Sequence, residues 1–171
     1  FLPNELQGTL QNVQKVVLDS KIRMSRRIIA GAVAASCGTA AAPIPFAHAA
    51  VLIPIQISMI AGITAVFGMV DVSTRFLTSF VTATIGSSGS AVLGKLIVEN
   101  LLKFIPGIGN ITGGAISAAT AGLLTTALGE AYIKIMTKIY LGEMKKEDLE
   151  SEKVLSDMKE IFRDELKRER K

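Results

Sequence analysis

The chain of 171 residues is long enough for one domain with a hydrophobic core, and 49% of its residues are hydrophobic although only 5% are aromatic. Its net charge of +4 is not gathered on a basic face with interleaved aromatic residues, which excludes a typical nucleic-acid-binding surface. The single cysteine, Cys37, excludes an internal disulfide and a multi-cysteine metal site, so we expect a cytoplasmic location or the cytoplasmic face of a membrane.

Three zones differ in composition along the chain. Residues 1–24 are polar with apolar residues at helical spacing, and we interpret them as an N-terminal polar helix or a linker from an upstream domain. Residues 25–142 are apolar and are predicted to form the helical domain. Residues 143–171 are dense in charge and are predicted to form an amphipathic helix. The apolar positions of the first zone are Leu6, Leu10, Val13, Val17 and Ile22, and those of the last are Val154, Leu155, Met158, Ile161, Phe162 and Leu166.

Helix breakers divide the apolar zone into separate helices. A first helix is expected from about Ser20 to Ala42, because Pro43 and Pro45 cannot continue it. A second is expected over 46–70, with a kink near Pro54. No alternating strand pattern interrupts the chain, which predicts an all-α fold. Further helices are expected at about 72–85, 90–104 and 111–142, with a turn at Pro106, Gly107 and Gly109 before the last of them.

The first two helices are predicted to form a hairpin whose turn contains Pro43, Pro45 and Phe46. No Asp, Glu, Lys or Arg occurs from residue 28 to residue 70. Two plain membrane spans fit poorly, since the first arm is shorter than the roughly 20 residues that cross a bilayer and the turn would enter water without a charge. Two interpretations stay open: a re-entrant wedge in lipid, or the buried centre of a helical bundle.

Two polar residues lie on the second arm of this hairpin. His48, the only histidine, either titrates near neutral pH and switches the hairpin between buried and exposed states, or is a hydrogen-bonded interior residue. Gln56 is predicted to make a hydrogen bond between helices.

Small residues recur every four positions on two of the predicted helices. Such rows let helix backbones approach closely, so we expect hairpins packed through small residues. One row is Ala30, Ala34, Gly38 and Ala42, and the others run through Gly113 and through Gly114, Ala118 and Gly122.

A basic cluster precedes the uncharged hairpin. Lys21, Arg23, Arg26 and Arg27 are predicted to anchor the entrance of the hairpin at an anionic cytoplasmic membrane surface, or are simply a solvated helix face. No Ser-His-Asp set and no paired carboxylates can be assembled from the apolar zone, so we expect no enzyme activity, no cofactor and no metal.

Two blocks of sequence carry a family resemblance, "AAPIPFAHAAVLIPIQISMIAGITAVFG" and "IPGIGNITGGAISAATAGLLTTALGEAYI". Over residues 25–142 the chain resembles the domain of unknown function found C-terminal to Era-like GTP-binding domains and in YcjF-like inner-membrane proteins. The resemblance implies an upstream GTPase domain in the same polypeptide, of which this chain, beginning at Phe1, is a piece. It supplies no catalytic residue.

The first functional hypothesis is therefore a non-enzymatic accessory or effector domain of a GTPase-type protein that associates with a membrane through the proline-containing hairpin. The alternative is a soluble helical module for protein interaction or oligomerisation, with the hairpin as its core. A pore-forming peptide is a third hypothesis. The expected partners are a lipid bilayer, the upstream GTPase domain and a second copy of the chain.

Overall fold

A computed structural model describes residues 4–40, 48–69, 72–87 and 113–168 of the chain. Every secondary-structure element in these ranges is helical, which confirms the predicted all-α fold. The α-helices are α1 (Asn4–Ala40), α2 (His48–Val66), α3 (Thr74–Ser87), α4 (Gly113–Tyr140) and α5 (Glu152–Arg168), and a 3-10 turn (Lys146–Glu150) precedes α5.

Most observed helices correspond to predicted ones, but α1 is longer than expected. It begins in the polar zone at Asn4 and continues without a break to Ala40, because no proline occurs between Pro3 and Pro43. The helix expected at 90–104 and the turn at Pro106, Gly107 and Gly109 lie outside the described residues.

Helices α1, α2 and α4 pack against one another with α1 antiparallel to both partners. Glycines allow the close approach at two points. A Cβ atom on Gly129 would lie 2.5 Å from Ile29 Cγ1, and one on Gly122 would lie 2.9 Å from Cys37 Sγ. The rows of small residues on α4 therefore face α1.

The row Ala30, Ala34 and Gly38 of α1, which the sequence assigned to helix contact, is exposed instead. The larger side chains of α1 decide which face is buried, since Ile29 belongs to the core and Val33 packs against it. This leaves the small residues of α1 on the outside of the bundle.

Helices α3 and α5 complete the core. Tyr132 of α4 is fully buried and its ring packs edge-on against Phe80 of α3. Its hydroxyl lies 2.8 Å from the Thr64 hydroxyl, which itself donates to the Ile60 carbonyl oxygen. Burial raises the pKa of Tyr132 to about 12, and the Thr64 hydrogen bond opposes part of that rise.

The amphipathic character predicted for the charged C-terminal zone is confirmed in α5. Its buried apolar residues belong to the predicted stripe: Val154, Met158, Phe162 and Leu166. Glu165 is also buried, and Lys134 Nζ lies 2.5 Å from its carboxylate while Arg168 is 3.7 Å away. The Lys134 ion pair attaches α5 to α4, and Arg168, on α5 itself, adds a second positive charge beside the buried carboxylate.

Candidate functional site

The two ends of the bundle differ in charge. Antiparallel packing brings the uncharged stretches of three helices side by side, since Gly62 of α2 contacts Ile28 of α1 and Ala118 of α4 contacts Cys37 of α1. We call these stretches, residues 28–40, 48–62 and 113–129, the charge-free end, because they contain no Asp, Glu, Lys or Arg.

The exposed residues of the charge-free end are small or uncharged. Soluble domains usually carry charges at about a quarter to a third of their surface positions. The part of this surface that the structure describes is therefore unlike one that faces only water. The exposed residues described there are Ala30, Gly31, Ala34, Ala35, Gly38, Thr39, Pro54, Ser58 and Ala119.

A layer of hydrogen-bonded polar side chains lies inside the charge-free end. Gln56 Nε2 donates to Thr125 Oγ1 at 3.4 Å, and Thr125 Oγ1 donates to Ser36 Oγ at 3.1 Å. All three residues are buried. We call Ser36, Gln56 and Thr125 the polar layer. It joins both arms of the predicted hairpin to α4, so three of the described helices, not two, meet at this end.

The predicted anchoring residues divide into two pairs. Arg26 makes a bidentate ion pair with Glu130, through Nε at 2.9 Å and Nη2 at 3.2 Å. This contact raises the pKa of the Arg26 guanidinium. Lys21 Nζ donates to the Val66 carbonyl oxygen at 2.6 Å. Arg23 and Arg27 are exposed. Two of the four cations are thus used within the domain, and two face outward beside the charge-free end.

Three of the predicted site residues, Pro43, Pro45 and Phe46, lie outside the described residues. Of the others, His48 begins α2 and Gly113 and Gly114 begin α4. The proposed switch at His48 therefore stays a prediction. Pro54 is exposed within α2, which continues through it.

A second surface was not assigned a role from the sequence. The first half of α1 exposes large apolar side chains, although its spacing alone had indicated only a polar helix or linker. The exposed fractions are 49% for Leu6, 47% for Leu10, 54% for Val13, 65% for Val16, 39% for Val17 and 50% for Met24.

Neither a metal-holding cluster nor a membrane-spanning helix occurs in the part of the chain that the structure describes. No group of three or more His, Cys, Asp or Glu side chains there is placed to hold a metal ion. Within the same ranges, no helix combines the length and the hydropathy that crossing a membrane requires.

Residues 5–160 match the family profile described as a domain of unknown function, DUF697. The chain belongs to this family. The match crosses both boundaries that composition predicted, at residue 24 and at residue 142, and it includes the first half of α1. No curated protein and no solved structure matches the chain.

Proposed function

We propose that this DUF697 domain is a non-enzymatic helical accessory domain that docks its charge-free end on a membrane surface. The observation that carries the proposal is the gathering of three uncharged stretches at one end of the bundle. Transferring such an end into the lipid interface avoids the cost of desolvating charged side chains.

The dimensions of the charge-free end suit entry into one leaflet. At 1.5 Å per residue, α1 extends about 20 Å from Arg27 to Ala40. Half of a hydrocarbon core is about 15 Å thick. Docking at this depth requires no spanning helix, and it would hold Arg23 and Arg27 near the lipid headgroups, where each contributes about 1 kcal/mol with anionic lipid.

The polar layer is compatible with this environment. Groups that enter lipid must have their hydrogen bonds satisfied internally. Gln56, Thr125 and Ser36 bond to one another and are shielded from solvent. The three helices would therefore dock as one preformed unit, without opening the hairpin.

Co-sedimentation with phosphatidylcholine vesicles, with and without phosphatidylglycerol, tests this proposal. We expect binding that is tighter to the anionic vesicles. Ala34→Glu puts a charge on the docking face and is expected to weaken binding at least about tenfold. Ser156→Glu puts the same charge on exposed α5 and serves as the matched control. Absence of binding to both kinds of vesicle would overturn the membrane proposal.

A second candidate function is a soluble helical module for protein interaction or oligomerisation. The polar layer favours it, since the hairpin arms share a folded core with α4. This candidate would be supported if the domain is recovered without detergent as a defined oligomer that does not bind vesicles. Retention in the membrane fraction after carbonate extraction would exclude it.

The link to a GTPase rests on the sequence resemblance alone. We propose that an upstream GTP-binding domain controls exposure of the charge-free end. In the full-length polypeptide, vesicle binding is expected to differ between the GTP-bound and GDP-bound states. Equal binding in both states would contradict this coupling while leaving membrane docking intact.

A further inference from the structure

The first half of α1 extends beyond the rest of the bundle. The contacts of Lys21 with the end of α2 at Val66 and with the Tyr140 ring at the end of α4 mark where the bundle stops. Seventeen residues of α1 precede Lys21, or about 25 Å of helix. Every side chain described between Leu6 and Val17 is exposed. The large apolar side chains of this stretch are therefore not covered by the described helices of its own chain.

Five of the six exposed apolar residues of α1 follow a heptad pattern, and Val16 lies outside it. From Leu6 to Met24 the five recur at alternating steps of four and three, with Ser20 at the one polar position between them. This is the a and d pattern of a coiled coil, in which each side chain inserts between residues of a facing helix. We call the apolar members the α1 seam: Leu6, Leu10, Val13, Val17 and Met24.

We propose that a second copy of the chain covers the α1 seam, with the two α1 helices antiparallel. A heptad seam is complementary to itself, so an identical helix fits it without further features.

Charge distribution selects the antiparallel orientation. Arg27 continues the heptad series three residues after Met24 and is exposed. Parallel helices would place each Arg27 opposite the Arg27 of the other copy, and juxtaposed like charges oppose association. In the antiparallel arrangement, Val13 pairs with Val17 of the second copy, which separates the two Arg27 residues. Glu5 of the second copy then lies at the level between Arg23 and Arg27.

The area of the seam predicts a contact of moderate strength. Its exposed apolar side chains provide roughly 500 Å² per copy, or about 1,000 Å² for the pair, which is near the lower limit for a specific interface. We therefore expect a dimer that dissociates on dilution. The contact uses a surface separate from the charge-free end, so this proposal does not rest on membrane docking.

Sedimentation velocity of the complete chain without detergent, from about 1 to about 100 µM, tests the proposal. We expect a concentration-dependent dimer. Val13→Asp with Val17→Asp is expected to raise the dissociation constant at least tenfold. Gln11→Asp with Lys15→Asp adds two acidic residues at exposed positions off the seam and should leave dimerisation unchanged. Circular dichroism checks that both variants keep their helix content.

Crosslinking tests the orientation. In a Cys37→Ser background, Val16→Cys lies beside the two-fold axis and is expected to form a covalent dimer with a short bis-maleimide. Leu6→Cys is expected to give none, since antiparallel pairing separates the two copies of that position by about 27 Å. A monomer at all concentrations, or a dimer that survives the seam substitutions, would overturn the proposal. Crosslinking through Leu6→Cys would overturn the antiparallel arrangement.

Discussion

The first half of α1 and the charge-free end show opposite relations between composition and surface. The polar zone exposes its large apolar residues, because none of the other described helices packs on that stretch. The apolar zone buries its large residues and exposes alanine and glycine, because three helices meet there. Mean hydropathy therefore does not reveal which side chains face outward. A seam of large side chains suits a facing helix, whereas a smooth uncharged face suits the lipid interface.

The largest expected effect is on the free energy of unfolding, and it differs between a buried and an exposed glycine at the charge-free end. Gly129→Ala would place Cβ 2.5 Å from Ile29 Cγ1, and the overlap is expected to lower the free energy of unfolding by about 2 to 3 kcal/mol. Gly31→Ala is the control, since no atom lies within 4 Å of its added Cβ and alanine favours the helix by about 0.5 to 1 kcal/mol. Urea unfolding measures both, and equal effects would contradict the packing described.

The second prediction concerns Arg23 and Arg27, the two exposed cations between the α1 seam and the charge-free end. Arg23→Gln with Arg27→Gln is expected to weaken binding to anionic vesicles by about 2 kcal/mol, since each cation contributes about 1 kcal/mol near such a surface. Binding to phosphatidylcholine alone should change little. Vesicle titration gives both values, and an equal loss on the two lipids would argue against a headgroup contact.

The polar layer predicts a smaller effect on stability. Thr125→Val removes the hydroxyl that links Gln56 to Ser36 and is expected to cost about 1 to 2 kcal/mol, because their polar groups remain buried. Adding Gln56→Leu should restore part of this stability. Thermal unfolding of the two single variants and the double variant gives the coupling, and strict additivity would show that the two residues act independently.

The smallest effect is expected for charges placed on either exposed surface. Ala34→Glu on the charge-free end and Val13→Asp on the α1 seam each replace an exposed side chain, so the free energy of unfolding should change by less than about 0.5 kcal/mol. Urea unfolding of the isolated domain checks this at a protein concentration where the α1 dimer has dissociated. A large loss in either variant at that concentration would mean that its side chain belongs to the core.

Local signals in the sequence predicted the helices, and long-range contacts account for what it could not predict. The absence of proline between Pro3 and Pro43 allows α1 to continue, and the apolar stripe of α5 marks its buried face. The exposure of Ala34 could not be read from a row of small residues, because periodicity identifies a face without saying what covers it. The ion pair of Arg26 with Glu130 joins residues 104 positions apart, so no local pattern indicates it.

Vesicle co-sedimentation tests most directly whether the charge-free end is the docking surface. Three proteins are compared: the unaltered domain, Ala34→Glu, and the seam variant Val13→Asp with Val17→Asp. We expect the unaltered domain and the seam variant to bind anionic vesicles equally, and Ala34→Glu to bind at least about tenfold more weakly. Loss of binding in the seam variant with full binding by Ala34→Glu would contradict docking through the charge-free end.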